Sequence, residues 1–511
     1  MHVLLRAFVD ELVRCGMRAA CTSPGSRSTP LVLPLARAHG LETFSHVDER
    51  CAAFFALGHA KATGRPVALA CTSGTAAAHY APAVIEAHEA RVPLLVLTAD
   101  RPPELREIGA GQTIDQIKLF GGAAKWFFEV GSHDATPDRL RWMRTLACRA
   151  YWTAATGRPG PVHLNFALRE PLVPDGELPA DDSGRADGRP FVTRLAPVAQ
   201  LAPDALPGVA EIIAATPRGV VVSGREERTP DLPAAVEAFG AAVGYPVLAD
   251  PLGGARRGQA AVAHYDALLR DDGFAAANRP DLVLRVGDLP TSKPMRQWLR
   301  SLDATQVSID PDGVWQDPDG LVDLSLGLDP ASTLFALANL GRRTPDADWL
   351  RAWLDADAAA ARAIDLALGD GLSEPRVAAE LGAVLPGQAI VFVASSMPVR
   401  DVETFFGTRD DPPRVLSNRG ANGIDGLVST AYGVAASRLG PVILLIGDVA
   451  LAHDIGGLLA GARHRIPLTI VAIDNGGGGI FDFLPVASQA DVFEEHITTP
   501  TGLDLAKAAE L

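Results

Sequence analysis

Short apolar segments alternate with longer segments of mixed polar and apolar residues along most of the chain. Stretches such as GVVVSG (Gly219 to Gly224) and DLVLRVG (Asp281 to Gly287) are apolar at nearly every position, which is typical of strands that are buried on both faces. The segments between such stretches have the pattern of helices. This alternation predicts an α/β fold of mostly parallel sheets flanked by helices.

Two segments near opposite ends of the chain resemble each other. One reads PVALACTSGTAAAHYAPAVIEAHEARVPLLVLTAD (Pro66 to Asp100), and the other reads PVILLIGDVALAHDIGGLLAGARHRIPLTIVAIDN (Pro441 to Asn475). Each has an apolar strand, a turn, a helix and a second strand that leads to an aspartate. The similarity predicts two homologous α/β domains, the first and the last, with a different domain between them.

Changes in composition mark the borders of these domains. The stretch PDGELPADDSGRADGRP (Pro174 to Pro190) is a polar linker rich in glycine and proline. A third α/β pattern follows this linker, and an Ala- and Asp-rich helical stretch comes after Trp349. We therefore expect three domains, at residues 1–175, 190–342 and 370–511.

Composition and charge exclude several classes of protein. The chain has 511 residues, 48% of them hydrophobic and 21% charged, which is typical of a globular protein with more than one domain. Its net charge of −15 argues against nucleic acid or an anionic membrane as a partner. Five scattered cysteines without a C-x-x-C pair favour a reducing compartment. No apolar run is long enough to span a bilayer, and we expect a soluble, cytoplasmic protein.

Two strand ends in the last predicted domain carry candidate metal ligands. The first strand ends at Gly447-Asp448 and the second at Asp474-Asn475. Strand ends in a doubly wound sheet face the ligand crevice, where a carboxylate and an amide oxygen are ligands that Mg²⁺ prefers. The glycine run after Asn475 would let the backbone approach a phosphate. Each dipeptide alone could also be an ordinary turn.

A carboxylate also stands at the start of the small-residue helix predicted from Ala52 to Ala60, which begins with Asp48-Glu49-Arg50. Asp48 suits an N-cap, and an acidic first turn suits the helix dipole, so Glu49 could be only a helix-start residue. Alternatively, the helix holds Glu49 for a functional purpose. This stretch alone leaves both interpretations open.

Taken together, these features resemble the family of thiamine diphosphate enzymes. Gly447-Asp448 with the later Asn475 is similar to the family's metal and diphosphate motif, and Glu49 followed by ALACTSGTAAAHY is similar to its glutamate, strand and T-S-G-T loop. The resemblance implies that thiamine diphosphate binds between two domains, the pyrimidine on residues 1–175 and the diphosphate on residues 370–511. It also implies Mg²⁺, or Mn²⁺, as the metal and Glu49 as the group that activates the cofactor.

The resemblance implies residue roles at the cofactor. Ile424 would be the bulky residue that forces the cofactor into a bent conformation. The implied metal ligands are Asp448, Asn475 and Gly477. The implied cofactor-binding residues are Glu49, Ser396, Met397, Ile424, Gly447, Asp448, Val449, Asn475 and Ile480.

Several blocks resemble one branch of the family, the thiamine diphosphate synthases of menaquinone biosynthesis. These blocks are TSPGSRSTPL (from Thr22), TADRPPELREIGAGQTIDQ (from Thr98), SSMPVRD (from Ser395), SNRGANGIDG (from Ser417) and GGGGIFDFLP (from Gly476). The branch decarboxylates 2-oxoglutarate and adds the resulting carbanion to isochorismate. Compared with that branch, we expect the last domain to be shortened at its C-terminus, after LDLAKAAEL.

Both implied substrates are dianions, so an acidic protein needs fixed cations to bind them. Five cations stand in matched blocks, beside Gly, Ser or Pro turns rather than on a helix face, and arginine suits bidentate carboxylate recognition. The resemblance implies catalytic roles for Glu49, Ser26, Arg27 and Gln112. The implied substrate-binding residues are Arg27, Arg101, Gln112, Lys293, Arg400, Arg419, Ile480, Phe481 and Leu484, the apolar ones forming a wall against water.

The resemblance also implies a homodimer or homotetramer in which two chains share each active site. Three alternatives stay open. A thiamine enzyme of the acetolactate synthase or 2-oxoacid decarboxylase kind would not need the arginines. An inactive cofactor-binding protein would bind without turnover. A nucleotide-binding protein is disfavoured because the chain has neither a G-x-G-x-x-G after an early strand nor a phosphate-binding G-x-x-x-x-G-K motif.

Overall fold

A computed structural model describes residues 1–195, 205–340 and 346–510 of the chain. The strands form three separate sheets, and every strand pair in the described ranges is parallel. The predicted α/β class is therefore confirmed. No helix in these ranges is both long enough and apolar enough to cross a membrane.

The first sheet has six strands in the order β2-β1-β3-β4-β6-β5. Alternate residues of its strands face two different hydrophobic cores, with Leu94 and Val96 in one and Leu95 and Leu97 in the other. Helices therefore cover both faces. The strands are β1 (Ala19–Thr22), β2 (Glu42–Ser45), β3 (Val67–Cys71), β4 (Leu94–Asp100), β5 (Trp126–Val130) and β6 (Pro161–Ala167). The helices are α1 (His2–Cys15), α2 (Thr29–Arg37), α3 (Glu49–Thr63), α4 (Thr75–Ala78), α5 (Ala81–Glu89) and α6 (Pro137–Ala155).

The middle sheet also has six strands, in the order β12-β11-β10-β7-β8-β9, and the strands predicted at GVVVSG and DLVLRVG are β7 and β10. Its strands are β7 (Gly219–Ser223), β8 (Val247–Ala249), β9 (Ala261–Val262), β10 (Leu282–Val286), β11 (Thr305–Ile309) and β12 (Leu324–Leu326). Its helices are α7 (Ala205–Ala215), α8 (Leu232–Val243), α9 (Tyr265–Leu268), α10 (Asp272–Ala277), α11 (Lys293–Ser301) and α12 (Pro330–Leu340), and the long helix α13 (Ala347–Leu368) follows.

The last sheet has four strands in the order β14-β13-β15-β16, which matches the order β2-β1-β3-β4 of the first sheet. Equal strand order in two parts of the chain confirms the predicted similarity of the first and last domains. The strands are β13 (Ile390–Val393), β14 (Arg414–Leu416), β15 (Val442–Gly447) and β16 (Thr469–Ile473). The helices are α14 (Glu374–Val384), α15 (Met397–Phe405), α16 (Leu427–Ala436), α17 (Asp448–His453), α18 (Leu458–His464) and α19 (Leu505–Ala509).

Helices α3 and α16 pack directly against each other and join the first and last domains. The contact is close because glycines face backbone atoms of the other helix. A Cβ on Gly58 would lie 2.0 Å from the carbonyl oxygen of Thr430, and one on Gly433 would lie 1.9 Å from that of Phe55. Residues of α3 from Cys51 to Ala62 are all buried.

Candidate cofactor and substrate site

Glu49 is the first residue of α3, and its helix start is fixed by a side-chain cap. The Asp48 carboxylate accepts hydrogen bonds from the backbone N–H groups of Arg50 (2.7 Å) and Cys51 (3.3 Å), which confirms Asp48 as the N-cap. Glu49 is half-buried. Behind it lies the fully buried Tyr80, whose pKa is well above its usual range because of burial, with the charge of Glu49 adding to the shift. The capped helix thus presents Glu49 at the boundary between core and solvent.

The T-S-G-T loop between β3 and α4 is tied to the segment that contains Gln112. The Ser73 hydroxyl donates to the Gln112 carbonyl (2.9 Å), and the Gln112 amide Nε2 donates back to the Ser73 carbonyl (3.0 Å). Gly74 has φ = 87°, and its N–H donates to Oε1 of the buried Gln116 (2.9 Å). The loop conformation therefore depends on both glutamines.

Two of the predicted cations, Arg27 and Arg101, lie near each other at this end of the first sheet. Burial lowers the pKa of Arg27, and the charge of Arg101 lowers it further. Arg27 Nη1 donates to the Leu168 carbonyl (2.9 Å), and Arg101 Nη2 donates to the Gly111 carbonyl (3.1 Å), next to Gln112. Arg27 Nε is buried and has no hydrogen-bond partner among the described residues, whereas Arg27 Nη2 forms an ion pair with Glu170 (3.5 Å). Glu170 therefore offsets part of the positive charge of this corner, which retains one buried N–H donor, and the exposed Ser26 stands beside it.

A second cationic group lies between the middle and last domains. Burial lowers the pKa of Arg419 and of Arg400; the charge of Arg296 lowers that of Arg400 further. Arg419 Nη1 donates to the Ser395 hydroxyl (3.4 Å), and Arg400 Nη1 donates to the Ser396 carbonyl (2.5 Å). Two mutually repelling guanidinium groups in a partly desolvated position are suited to bind an anion.

The expectation that all five cations avoid helices is wrong for two of them. Lys293 is the first residue of α11, and Arg400 lies within α15. Each helix has a proline in its first turn, Pro294 directly after Lys293 and Pro398 two residues before Arg400, and proline fits there because its missing N–H would have no partner. The proline was thus a helix start, not a turn.

The candidate metal ligands stand at the ends of neighbouring strands, as predicted. β15 pairs with β16, with Gly447 opposite Ile473, so Asp448 and Asn475 follow adjacent strand ends. Asp448 is 3% exposed, and burial raises the pKa of its carboxyl, although hydrogen bonds from the backbone of Val449 and Gly477 counteract the shift. No basic side chain in the described part of the chain forms an ion pair with it. A divalent cation would supply the missing positive charge, so these residues fit Mg²⁺.

The loop after β16 holds the other two candidate ligands. The Asn475 amide donates from Nδ2 to Glu374 Oε1 (2.9 Å), which leaves its Oδ1 as the oxygen available to a metal. Gly477 has φ = 133°, and a Cβ there would lie 2.6 Å from the Thr498 carbonyl oxygen. Only glycine therefore fits at position 477, where the backbone closely approaches Asp448.

The remaining predicted residues differ in their surroundings. Ser396 has φ = 74°, which is unusual for a residue with a side chain, and immediately precedes Met397 at the start of α15. Ile424 packs against the core shared by α3 and α16. Ile480 and Phe481 are half-buried in a short 3₁₀ turn, whereas Leu484 is exposed, and Val449 is half-buried in the first turn of α17.

Within one chain, Glu49 and the metal ligands lie at different ends of α17. The guanidinium of Arg50 contacts the His453 carbonyl (3.3 Å) and the Asp454 carboxylate (3.8 Å), both at the C-terminal end of α17. Asp448 is at its N-terminal end. Six helical residues span about 9 Å, so the described contacts of the Glu49 region do not include Asp448.

Sequence reasoning missed three residues of this region: Arg296, Glu374 and Gln116. Arg296 follows Lys293 by one helical turn of α11, a spacing that could have pointed to it. Gln116 stands in a block that the family resemblance included. Glu374 is about a hundred residues from Asn475 along the chain, and no local pattern connects the two.

Comparison with known proteins agrees with this geometry. Three family profiles match the chain: "Thiamine pyrophosphate enzyme, N-terminal TPP binding domain" over residues 3–119, "Middle domain of thiamine pyrophosphate" over residues 210–393, and "Thiamine pyrophosphate enzyme, C-terminal TPP binding domain" over residues 399–511.

Several relatives that match nearly the whole chain share the name 2-succinyl-5-enolpyruvyl-6-hydroxy-3-cyclohexene-1-carboxylate synthase. The protein from Geobacillus kaustophilus is 44% identical over 518 residues, covering 100% of this chain and 89% of the relative. That from Chloroflexus aurantiacus is 44% identical and covers 99% and 87%, respectively. That from Myxococcus xanthus is 45% identical over 522 residues and covers 99% and 88%.

Proposed function

The chain belongs to the family of 2-succinyl-5-enolpyruvyl-6-hydroxy-3-cyclohexene-1-carboxylate synthases. From this premise we propose which of its residues bind the cofactor, bind the substrates and transfer protons. It is a thiamine diphosphate-dependent transferase of menaquinone biosynthesis. It decarboxylates 2-oxoglutarate and adds the succinyl unit to isochorismate, with release of CO₂. When bound, thiamine diphosphate supplies the electron sink that this decarboxylation requires.

The buried carboxylate of Asp448 is the observation that carries the assignment of the diphosphate end of the site. It lies in the core without a basic partner among the described residues, and Asn475 and Gly477 follow the adjacent strand. We assign Asp448 Oδ, Asn475 Oδ1 and the Gly477 carbonyl as the groups that hold Mg²⁺, with Mn²⁺ as a substitute. Gly447, Val449, Ser396, Met397 and Ile480 complete the contacts of residues 370–511 with the diphosphate part of the cofactor.

Glu49 is assigned to the pyrimidine end, on residues 1–175. Its carboxylate projects from the capped start of α3 and can hold a proton against a ring nitrogen of the aminopyrimidine. Because the helix is buried along most of its length, the backbone that carries Glu49 cannot shift without moving the core. A general acid–base group held in this way contributes through its fixed position as well as its charge.

Two cationic groups match the two dianionic substrates. Arg27 and Arg101, with Ser26 and Gln112 beside them, form one; Arg400 and Arg419, with Arg296 acting on Arg400, form the other, and we propose that Lys293, one helical turn before Arg296, joins it. We propose that each binds carboxylates, and that Gln112 and Ser26 orient the reacting carbonyl and carry protons. The central residues 190–342 contribute Lys293 to the second group. Ile424, Ile480, Phe481 and Leu484 keep water from the reacting carbon.

We further propose that two chains share each active site in a homodimer or a homotetramer. The Glu49 region contacts the C-terminal end of α17 in its own chain, whereas Asp448 stands at the N-terminal end. The Asp448 of a second chain could then complete the site at Glu49. Exposed apolar side chains near both elements, Val47 and Ile85 in the first domain and Leu459 in the last, favour such an interface. The five free thiols agree with a cytoplasmic location.

The decisive experiment is mass spectrometry of the product formed by the purified protein. The protein receives 2-oxoglutarate, isochorismate, thiamine diphosphate and Mg²⁺, and matched reactions omit isochorismate or replace 2-oxoglutarate with pyruvate. We expect the succinylated cyclohexene product only with both substrates. A product from pyruvate alone would favour an enzyme of the acetolactate synthase kind, and cofactor binding without any product would favour an inactive binding protein.

A further inference from the structure

Two cysteine thiols lie side by side in the first domain, away from the site described above. Cys15 is the last residue of α1 and Cys148 lies within α6, and their sulfur atoms are 3.6 Å apart. Both side chains are buried. The two helices pack against each other along their length, so the core holds the sulfurs together although 133 positions separate them in the chain.

The Cys148 sulfur has three hydrogen-bonding neighbours: its thiol donates to Oε1 of Glu11 (3.4 Å), and the sulfur accepts from two other groups. The Cys15 thiol donates a hydrogen bond to it, and the backbone N–H of Val192 donates a second one at 3.4 Å. The hydrogen bond from Cys15 lowers the pKa of Cys148 and raises that of Cys15, whereas burial and the nearby Glu11 oppose the lowering. Cys148 is therefore the sulfur of the pair whose thiolate the hydrogen bonds from Cys15 and Val192 favour, and the Glu11 carboxylate is placed to accept its proton.

A segment of the chain covers this pair. Residues 181–192, here called the covering segment, lie over the ends of α1 and α6. Arg144 of α6 donates to the Asp181 carboxylate (2.7 Å), Arg14 of α1 donates to the Arg185 carbonyl (2.8 Å), and Trp152 donates to the Val192 carbonyl (2.9 Å). The covering segment thus shields the sulfurs from solvent. It contacts the pair through the hydrogen bond from the Val192 N–H to the Cys148 sulfur.

We propose that Cys15 and Cys148 are a modification site, a dithiol that hydrogen peroxide converts reversibly to a disulfide when the covering segment opens. The Cys148 thiolate attacks one peroxide oxygen and forms a sulfenic acid, and the departing hydroxide takes a proton to become water. The Cys15 sulfur then attacks Cys148 and forms the S–S bond, and the displaced hydroxide leaves as water with the Cys15 proton. Two electrons pass from the sulfurs to the peroxide, and a dithiol reductant reverses the step.

Formation of the disulfide changes the contacts of the covering segment. The sulfurs must approach from 3.6 Å to about 2.05 Å, which draws the end of α1 toward α6. A disulfide sulfur has no negative charge, so it accepts the Val192 N–H poorly. We therefore expect oxidation to join α1 to α6 and to loosen the covering segment, which contains the exposed trypsin site Arg185.

The first test treats the full-length protein with hydrogen peroxide and maps its peptides by mass spectrometry without reduction. We expect the number of free thiols to fall from five to three, with the Cys15 and Cys148 peptides joined and lighter by two hydrogen atoms. Dithiothreitol should restore all five. Oxidation of other cysteines first, or stepwise oxidation of Cys148 to sulfinic acid without a linked peptide, would overturn the proposal.

The second test measures the rate of tryptic cleavage after Arg185 before and after oxidation. Cleavage should become severalfold faster in the oxidised protein and return to its original rate after reduction. Cys15→Ala should abolish the effect of peroxide, whereas Cys21→Ala, which removes a buried thiol on β1, should retain it. If Cys15→Ala does not fold, Cys148→Ala serves the same purpose, and the thiol count on the unaltered protein still decides. Equal cleavage before and after oxidation would contradict the role of the covering segment.

Discussion

Asp448 is a buried carboxylate that lacks a basic partner among the described residues, so its charge is unfavourable until a cation binds. We predict that Asp448→Ala removes most of the Mg²⁺-dependent binding of thiamine diphosphate while the protein stays folded. Isothermal titration calorimetry at several Mg²⁺ concentrations measures the affinity, and circular dichroism verifies the fold. Asp474→Ala, at an exposed aspartate next to Asn475, is the matched control. Unchanged cofactor affinity in the Asp448 variant would contradict the assignment.

A substitution of Glu49 tests the pyrimidine end of the cofactor site. Glu49→Gln keeps the size and the hydrogen-bonding ability of the side chain but removes its charge and its capacity to exchange a proton. We predict that the cofactor affinity is largely retained and that turnover falls by at least ~10²-fold, the scale of an acid–base contribution. Steady-state kinetics measures turnover, with Glu89→Gln, an exposed glutamate at the end of α5, as the control. Near-normal turnover would mean that Glu49 only starts a helix.

At the scale of elements, the close contact of α3 and α16 depends on glycine. A Cβ at position 433 would overlap the Phe55 carbonyl oxygen at 1.9 Å, and that oxygen belongs to helix backbone that cannot move alone. We predict that Gly433→Ala destabilises the protein by about 1–3 kcal/mol, the usual cost of overpacking. Thermal unfolding measures the loss.

Gly208 of α7 provides the matched control for this substitution. It is also helical, but no atom lies within 4 Å of a Cβ built there. Alanine at that position should leave stability unchanged or raise it by up to about 1 kcal/mol, because alanine favours helix. A loss of stability at position 208 as large as that at position 433 would show that the helix contact is not the cause.

A second junction between elements contains histidines and predicts a dependence on pH. The rings of His46 and Phe55 are 4.7 Å apart, and His464 of α18 packs on the same cluster, 5.4 Å from His46. Burial, together with the charges of His464 and Arg463, lowers the pKa of His46 to about 3, while Asp48 acts in the opposite direction. Burial likewise lowers the pKa of His59 to about 4.

The unfolded chain binds protons at these histidines below about pH 6.5, whereas the folded chain does not, so stability must fall as the pH falls below that value. Each histidine contributes a loss of about 1.4 kcal/mol per pH unit. We predict that His46→Phe, which keeps the ring packing, reduces the loss between pH 6.5 and pH 5 by about 2 kcal/mol. Urea unfolding at the two pH values measures it. His39→Gln, at an exposed histidine, should show the same pH dependence as the unaltered protein.

At the scale of the whole molecule, the sequence predicted the features that depend on local patterns. The alternation of strands and helices and the repeat at Pro66 and Pro441 predicted the α/β class and the similar outer domains, and the equal strand order confirms both. The capped start of α3 was also readable, because an N-cap acts within four residues. The domain borders and the roles of the site residues stay predictions.

Features that depend on distant parts of the chain could not be predicted in the same way. The hydrogen bond between Glu374 and Asn475 and the proximity of Arg296 to Arg400 arise only when separate sheets come together. The helices that contain Lys293 and Arg400 were misinterpreted as turns because proline signals both a turn and a first helical turn. Family resemblance supplied the substrates, which no local pattern specifies.

The largest prediction at this scale concerns assembly. If one chain provides Glu49 and another provides Asp448, a mixed dimer of Glu49→Gln and Asp448→Ala chains has one site with both defects and one site with neither. We predict that such mixed dimers recover up to about half of the activity of the unaltered dimer, although each parent variant is inactive. The two chains are co-expressed with different tags and purified through both tags in succession, so that only mixed dimers are assayed. Mixed dimers without activity would contradict the shared site even if the protein is dimeric. If each site were built within one chain, both chains of the mixed dimer would have a defective site.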